Sequence, residues 1–424
     1  VGLKEWSHQN ISIKTNPEAI IWAVDGVDDN SVAFAARLME KGVEVRIIDK
    51  EALLSKQTLS RGSIAVLAMD NPEYQSLSET VNSIATELNI SVLSIESGFG
   101  AEELPDWGGR HFRLLERPQI AILSQSGFSS YDVGVSWWSL DHHLGIRHSQ
   151  IDASLVNYAD LRRYNTIILP SGYRDMGEYE KKVLSDWIEQ GGTLIAHAAS
   201  SFALASEQGI GSVKLLQNTF EESEKYNISL QRELSALYEE LDIESVNSNK
   251  VDLDTAYPWE QSEGKYPPFK LEYRDDWQSI FMPSGAFVSG RTDQEHWLTF
   301  GTNSTLPLLY RSYPVLMSDD SSEAPIRVGV FSDSAKANTY STINWSDIPP
   351  GKELNVRMSG LLWPEAAQRI ANSAYLTRDR IGKGQLILFS GEPNFRGATL
   401  GTNRVWLNAV VYGAGLGTEP RITP

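Results

Sequence analysis

The sequence predicts an α/β protein built as two consecutive open, mostly parallel-sheet units. Three observations predict it. Short apolar runs, at residues 19–24, 43–48, 119–124 and 166–169, alternate with stretches of helical periodicity. The connections between them are short, as alternating strand and helix require. No apolar run approaches the ~18–20 residues that span a bilayer, and no repeat period is visible.

Residues 19–24 read as the first strand, followed by the turn-rich Asp25-Gly26-Val27-Asp28-Asp29-Asn30. Asn30 or Ser31 caps a helix through Glu40, with Val32, Ala35, Ala36 and Met39 on one face. Gly42 ends it, and residues 43–48 and 64–68 are the next strands. A helix near 74–88 and a strand at 91–95 complete an N-terminal unit over residues 1–115. Residues 98–110, with Gly98-Phe99-Gly100 and Gly108-Gly109, read as a linker.

The second unit, residues 116–424, opens with a strand at 119–124, a helix at 131–144 carrying Trp137 and Trp138, and a short strand at 148–151. A buried strand at 166–169 ends in Pro170-Ser171-Gly172. The helix at 178–190 is stopped by Gly191-Gly192, in the position helices favour for glycine. Another buried strand, 193–198, runs straight into a helix at 199–206. Residues from about 220 to 325 read as an insertion, helical over 221–243. From about 250 it is irregular and rich in Pro, Tyr, Trp and Asp. The α/β pattern returns at 327–331 and 386–390 and closes with a helix near 402–412.

Composition narrows the chemistry. The chain has 424 residues and a net charge of −18, a field that repels phosphate backbones and argues against nucleic acid and anionic membranes as partners. It has no cysteine, so disulfides, thiolate metal sites and cysteine nucleophiles are excluded together. Twelve Trp and sixteen Tyr are enough to furnish both a core and a sugar or peptide surface. The start at Val1-Gly2-Leu3 has neither an initiator Met nor an apolar signal core and reads as a cut end.

Ligands of open α/β sheets bind at the carboxyl ends of strands. The best candidate is the turn in Thr193-Leu194-Ile195-Ala196-His197-Ala198-Ala199-Ser200-Ser201, where a nucleophile would stand against a helix N-terminus. The elbow position falls on Ala198, Ala199 or Ser200. A serine hydrolase would use Ser200, or Ser126 in Gln125-Ser126-Gly127, with His197 as base. His197 sits next to the elbow, however, and adjacent strand residues face opposite sides. Of the seven histidines (His8, His111, His142, His143, His148, His197, His296), none has Glu three residues later, and no H-E-x-x-H occurs. His142, His143 and His148 with Asp141 are close enough in sequence to bind a metal adventitiously, and a solvated helix end with two imidazoles is the better account of them. Gly209-Ile210-Gly211 follows a helix, and Gly382-Lys383-Gly384 reads as a hairpin turn, so neither supports nucleotide binding. Tyr257, Trp259 and Trp277 in the irregular stretch offer an aromatic platform for a carbohydrate or peptide.

Scattered segments resemble the region that follows the catalytic domain in large bacterial zinc-carboxypeptidase-like proteins. They include Pro118-Gln119-Ile120-Ala121-Ile122-Leu123 and Ser129-Ser130-Tyr131-Asp132-Val133-Gly134 continuing to Trp137-Trp138. Tyr164-Asn165-Thr166 to Pro170-Ser171-Gly172 and Trp187-Ile188-Glu189-Gln190-Gly191-Gly192 belong with them. Near the end come Gly382-Lys383-Gly384, Pro393-Asn394-Phe395-Arg396-Gly397 and Gly401-Thr402-Asn403-Arg404. His296-Trp297-Leu298 with Gly301 fits the middle, and Arg61-Gly62-Ser63 fits the preceding unit. The resemblance implies that the second unit is flavodoxin-like, of the class I glutamine-amidotransferase-like kind, without that fold's elbow cysteine. It further implies a non-catalytic accessory region of an exported, periplasmic or secreted zinc-carboxypeptidase-like protein. Its partner would be an upstream zinc-peptidase domain of the same chain, with zinc there and no metal or other cofactor in this region. A carbohydrate- or peptide-binding module and the serine hydrolase above are the alternatives.

Overall fold

Strand β1 (Ile21–Val24) has no polar face: all four residues are buried, as in a strand covered on both sides. In the computed structural model, residue 16 and residues 19–54, 57–97, 105, 109–172, 176–238, 267–312, 314–334 and 341–419 are described. Helix α1 (Ser31–Glu40) follows and buries the apolar face that its spacing predicts. Then come β2 (Arg46–Ile48), a small hairpin of β3 (Ala52–Leu54) and β4 (Gln57–Leu59), and β5 (Ile64–Leu67). Helix α2 (Leu77–Leu88), β6 (Leu93–Ile95) and β7 (Phe112–Leu114) complete a sheet of order β6-β1-β5-β2-β7.

Every neighbouring pair in this sheet is antiparallel, which corrects the expected parallel first unit. The unforeseen β3–β4 hairpin is the reason. It turns the chain after β2 without a helix, so β5 returns between β1 and β2 in the opposite direction. The crossovers through α1 and α2 still join strands of like direction, but each skips one place.

The second sheet begins with β8 (Ile120–Ser124), α3 (Ser130–Trp138), β9 (His148–Asp152), β10 (Thr166–Leu169) and α4 (Glu178–Glu189). β11 (Thr193–His197) runs without a loop into α5 (Ala198–Ala205). β12 (Lys214–Leu215), α6 (Ser223–Tyr238) and α7 (Pro268–Ser279) follow. The strands β13 (Ala286–Thr292), β14 (Thr305–Tyr310), β15 (Leu316–Met317) and β16 (Glu323–Val328) come next, then β17 (Val330–Asp333). β18 (Ser341–Ile343), β19 (Ser346–Ile348), β20 (Lys352–Asn355), β21 (Arg357–Ser359) and α8 (Pro364–Ile370) lead to the hairpin of β22 (Ala374–Ile381) and β23 (Gly384–Phe389). The long, almost wholly buried α9 (Leu400–Leu416) closes the fold.

Five strands run parallel in the spatial order β9-β8-β10-β11-β23, which is 2-1-3-4-5 counted along the chain. Beyond β23 the sheet continues antiparallel through β22, β16, β13 and β14. The second unit is therefore mixed rather than mostly parallel. Residues 286–325, read from sequence as irregular, supply β13, β14, β15 and the start of β16, and the strand expected at 327–331 is split at Gly329 between β16 and β17. Pro307 and Gly290 interrupt the strand signal there, yet both sit in register across from partners. Helix α3 is also shorter than expected: beyond Trp138 the chain continues as a wider π-type turn to Leu144.

The two sheets share a core. Val24 and Val32 from the first unit belong to the same buried cluster as Ile168, Ile195 and Trp406 from the second. At the joint, Arg404 of α9 is buried and reaches back across it. Its Nη1 donates to the Asp28 carbonyl at 2.7 Å, and Nη2 donates to the Gly26 carbonyl and Ser31 Oγ at 2.8 and 2.9 Å. Asn408, one turn on, accepts from Arg404 Nε and donates to the carbonyls of Leu298 and Phe300.

Candidate functional site

The strand–helix junction after β11 is a sharp elbow centred on Ala198. His197 is extended at φ −122°, whereas Ala198 has φ +45° and starts α5. A left-handed backbone costs a non-glycine residue on the order of 1 kcal/mol. The turn that would present a nucleophile is thus built, and a methyl group occupies it. Of the three residues that the sequence leaves open for the elbow, the structure selects Ala198.

His197 is unsuited to serve as a base here. Only 1% of it is exposed, and its Nε2 accepts a hydrogen bond from Trp406 Nε1 at 2.7 Å. The edge of its ring meets Phe389, 5.8 Å between centroids. Burial alone drives its pKa from 6.5 to about 3. Above pH 6.5 both the folded and unfolded chains carry it neutral. Below that, the unfolded chain binds a proton that the folded protein refuses, so stability falls as pH falls towards 3. The loss from this residue is expected to reach about 2 kcal/mol between pH 6.5 and 5. Urea melts of His197→Gln, which keeps an acceptor for Trp406 but cannot titrate, should show a smaller acid loss than the native chain. Equal losses would remove His197 from the account.

Neither candidate serine meets His197. Ser200 is buried and its Oγ donates to the Pro170 carbonyl at 2.6 Å, while Ser201 Oγ donates to the Phe389 carbonyl at 2.8 Å. Ser126 lies in a left-handed turn, φ +42° between Gln125 at +59° and Gly127 at +98°, and its Oγ donates to Asp152 Oδ1 at 2.8 Å. Asp152 ends β9, whereas the nearest histidine in sequence, His148, begins it, roughly 13 Å away along an extended strand. The Ser–His pair that the hydrolase reading needs is not assembled.

Beside the elbow, at the carboxyl ends of the parallel strands, two adjoining cavities of about 870 and 620 Å³ open. The strand order reverses between β8 and β10, the place where open sheets bind ligands. Both cavities share Ser171, Arg311 and Glu392. Glu392 follows β23 and is 6% exposed; Arg311 Nη1 stands 3.6 Å from its Oε1. On the other flank Asp132, in the first turn of α3, has its pKa raised by burial, against the opposing hydrogen bond of Ser129 and the charge of Arg311. Tyr131, Trp138 and Phe395 supply aromatic walls to the smaller cavity. An arginine between two carboxylates, faced by rings, can hold a polar ligand.

No family model matches the chain, and no curated protein matches it. Among solved structures it is similar to a ThuA-like protein from Bacteroides uniformis, with 13% identity over 72% of this chain and 95% of that one, at a TM-score of 0.32. A β-galactosidase from Bacillus circulans sp. alkalophilus matches at 12% identity over 86% of this chain and 38% of that one, TM-score 0.34. A cytoplasmic protein from Salmonella typhimurium LT2 matches at 12% identity over 69% of this chain and 98% of that one, TM-score 0.30. None of these three reaches a TM-score of 0.5.

The remaining sequence candidates separate. Tyr257 and Trp259 lie outside the described residues, as does His8. Trp277, on α7, is 55% exposed and stands edge-on to Phe281 at 5.2 Å. His142 and His143 pack around Trp138 instead of converging with Asp141 and His148. Among the described residues no group of three His, Asp or Glu could hold a metal ion, and no helix is long and apolar enough to cross a membrane. Sequence reading missed Arg311, Glu392 and Asp132 as a set. Asp132 lies inside a quoted segment and Glu392 immediately before one; Arg311 carries no local signal.

Proposed function

We propose that this chain is a non-catalytic accessory region of a zinc-carboxypeptidase-like protein, supporting an upstream zinc-peptidase domain or binding its peptide or glycan substrate. The 2-1-3-4-5 parallel order and the left-handed elbow support a flavodoxin-like, glutamine-amidotransferase-like reading of the second unit. The observation that carries the proposal is Ala198: the elbow is retained and its side chain cannot attack. The neutral, buried His197 beside it agrees. Export to the periplasm or beyond belongs to the same reading.

The test is chemical. A fluorophosphonate probe is expected to label neither Ser200, whose hydroxyl is committed to the Pro170 carbonyl, nor Ser126. The chain as purified should cleave no peptide with or without added zinc. Labelling of either serine, or zinc-dependent cleavage by this chain alone, would falsify the reading. A second reading, a carbohydrate- or peptide-binding module, is favoured by the exposed ring of Trp277.

A further inference from the structure

Helices α7 and α8 and the turn joining β18 to β19 enclose an open cavity of about 440 Å³ that shares no lining residue with the strand-end cleft. Its wall carries Arg274, Trp277 and Gln278 from α7, Glu365 and Gln368 from α8, and Asn344 from the turn. The two helices are clamped at this point. Arg369 Nε and Nη2 donate to the two carboxylate oxygens of Asp275 at 2.7 and 3.1 Å. On the next turn of α7, Gln278 Nε2 donates to Gln368 Oε1 at 3.2 Å.

Two polar atoms in this wall have no hydrogen-bond partner among the described residues. Gln278 is 2% exposed, and its Oε1 is buried and unmatched; Glu365 Oε2 is buried and unmatched as well. Native structures leave few buried acceptors unmade, and two in one cavity wall, beside a half-exposed indole, point to a donor that arrives from outside.

We infer that this cavity binds a carbohydrate, with a sugar ring against Trp277 and its hydroxyls donating to Gln278 Oε1 and Glu365 Oε2. The ligand class follows from the wall. With Gln278 Nε2 given to Gln368, Gln278 Oε1 and Glu365 Oε2 both require a donor, which a hydroxyl supplies. Arg274 in the same wall disfavours an ammonium group. A flat aromatic face with a few fixed polar groups suits a sugar ring and its hydroxyls, and its volume falls in the usual range for small-ligand sites. This deepens the binding-module reading and rests on it; it does not depend on the elbow.

The experiment titrates the whole chain with hexasaccharides of glucose (β-1,4 and α-1,4 linked), xylose, mannose and N-acetylglucosamine, and with trialanine and Ala-Lys-Ala. Tryptophan fluorescence and heat are followed. At least one hexasaccharide is expected to bind with a Kd below about 1 mM and to change the indole emission. Trp277→Ala should weaken it roughly tenfold or more and Glu365→Gln roughly threefold, both at unchanged melting temperature. Binding that neither variant weakens puts the sugar elsewhere and overturns the inference. Peptide binding alone, lost in Trp277→Ala, overturns the carbohydrate class and leaves the module reading standing. Binding of no ligand in the series overturns both, and the silent elbow is judged separately by the serine probe.

Discussion

Replacing Arg404 with Met is expected to lower the free energy of unfolding by about 3–5 kcal/mol, the range for removing one partner of a buried charged network. Methionine fills the space of the stem but donates nothing. It leaves the carbonyls of Gly26 and Asp28, Ser31 Oγ and Asn408 Oδ1 without the donors they have in the native joint. Burial lowers the Arg404 pKa, against the opposing charges of Tyr412, Asp29 and Asp28. Arg404→Lys retains the charge and loses the fork, and should fall between the native chain and the Met variant. Urea denaturation followed by tryptophan emission measures both. A change below about 1 kcal/mol in Arg404→Met would show that the network does not hold the joint.

The second large effect is expected at Asp275. Its side chain and that of Arg369 are both nearly buried, and the ion pair is bidentate. Asp275→Ala strands the guanidinium between α7 and α8 and should cost about 3–5 kcal/mol. Removing both charges, as Asp275→Leu with Arg369→Met, should recover most of that, because the burden is the uncompensated charge and not the missing attraction. A double-mutant cycle with Arg369→Met as the second single variant reads the coupling directly. Additive losses would contradict the pair's part in clamping the two helices.

Much of the secondary structure is legible in the sequence. The 3.6-residue period of α1, the apolar runs of β10 and β11, and the Gly191-Gly192 stop all sit where the pattern puts them. Strand direction is not legible, since it depends on which strand becomes the neighbour. The three-residue strands of the β3–β4 hairpin are too short to show a period, and missing them reversed the reading of the first sheet. β13 and β14 were hidden by Gly290 and Pro307, and the two-residue β15 is too short to show a period. At the site, the silent elbow follows from having no cysteine and three small residues in a row. Arg311 and Glu392 do not follow, because they meet only when loops after β14 and β23 reach the same end of the sheet.

The motifs that carry the family resemblance have their own physical account. Ser63 Oγ accepts from the Gly26 amide at 2.9 Å. Gly62, at φ +82°, leaves room for Phe300, whose Cβ would stand 2.7 Å from an added methyl group. A methyl on Gly301 would lie 2.4 Å from both the Gly26 carbonyl and the Arg404 guanidinium. Arg61-Gly62-Ser63, His296-Trp297-Leu298 with Gly301, and Gly401-Thr402-Asn403-Arg404 lie far apart in sequence and gather at one place in the fold. These motifs bear on architecture more than on chemistry.

Because that gathering point lies inside a core common to both sheets, damage does not stay local. A substitution in the small antiparallel sheet loosens packing in a buried cluster whose other residues belong to the second sheet. In a cell, where the steady-state fraction of unfolded chain governs turnover, destabilising variants in the small sheet would then lower the abundance of folded protein.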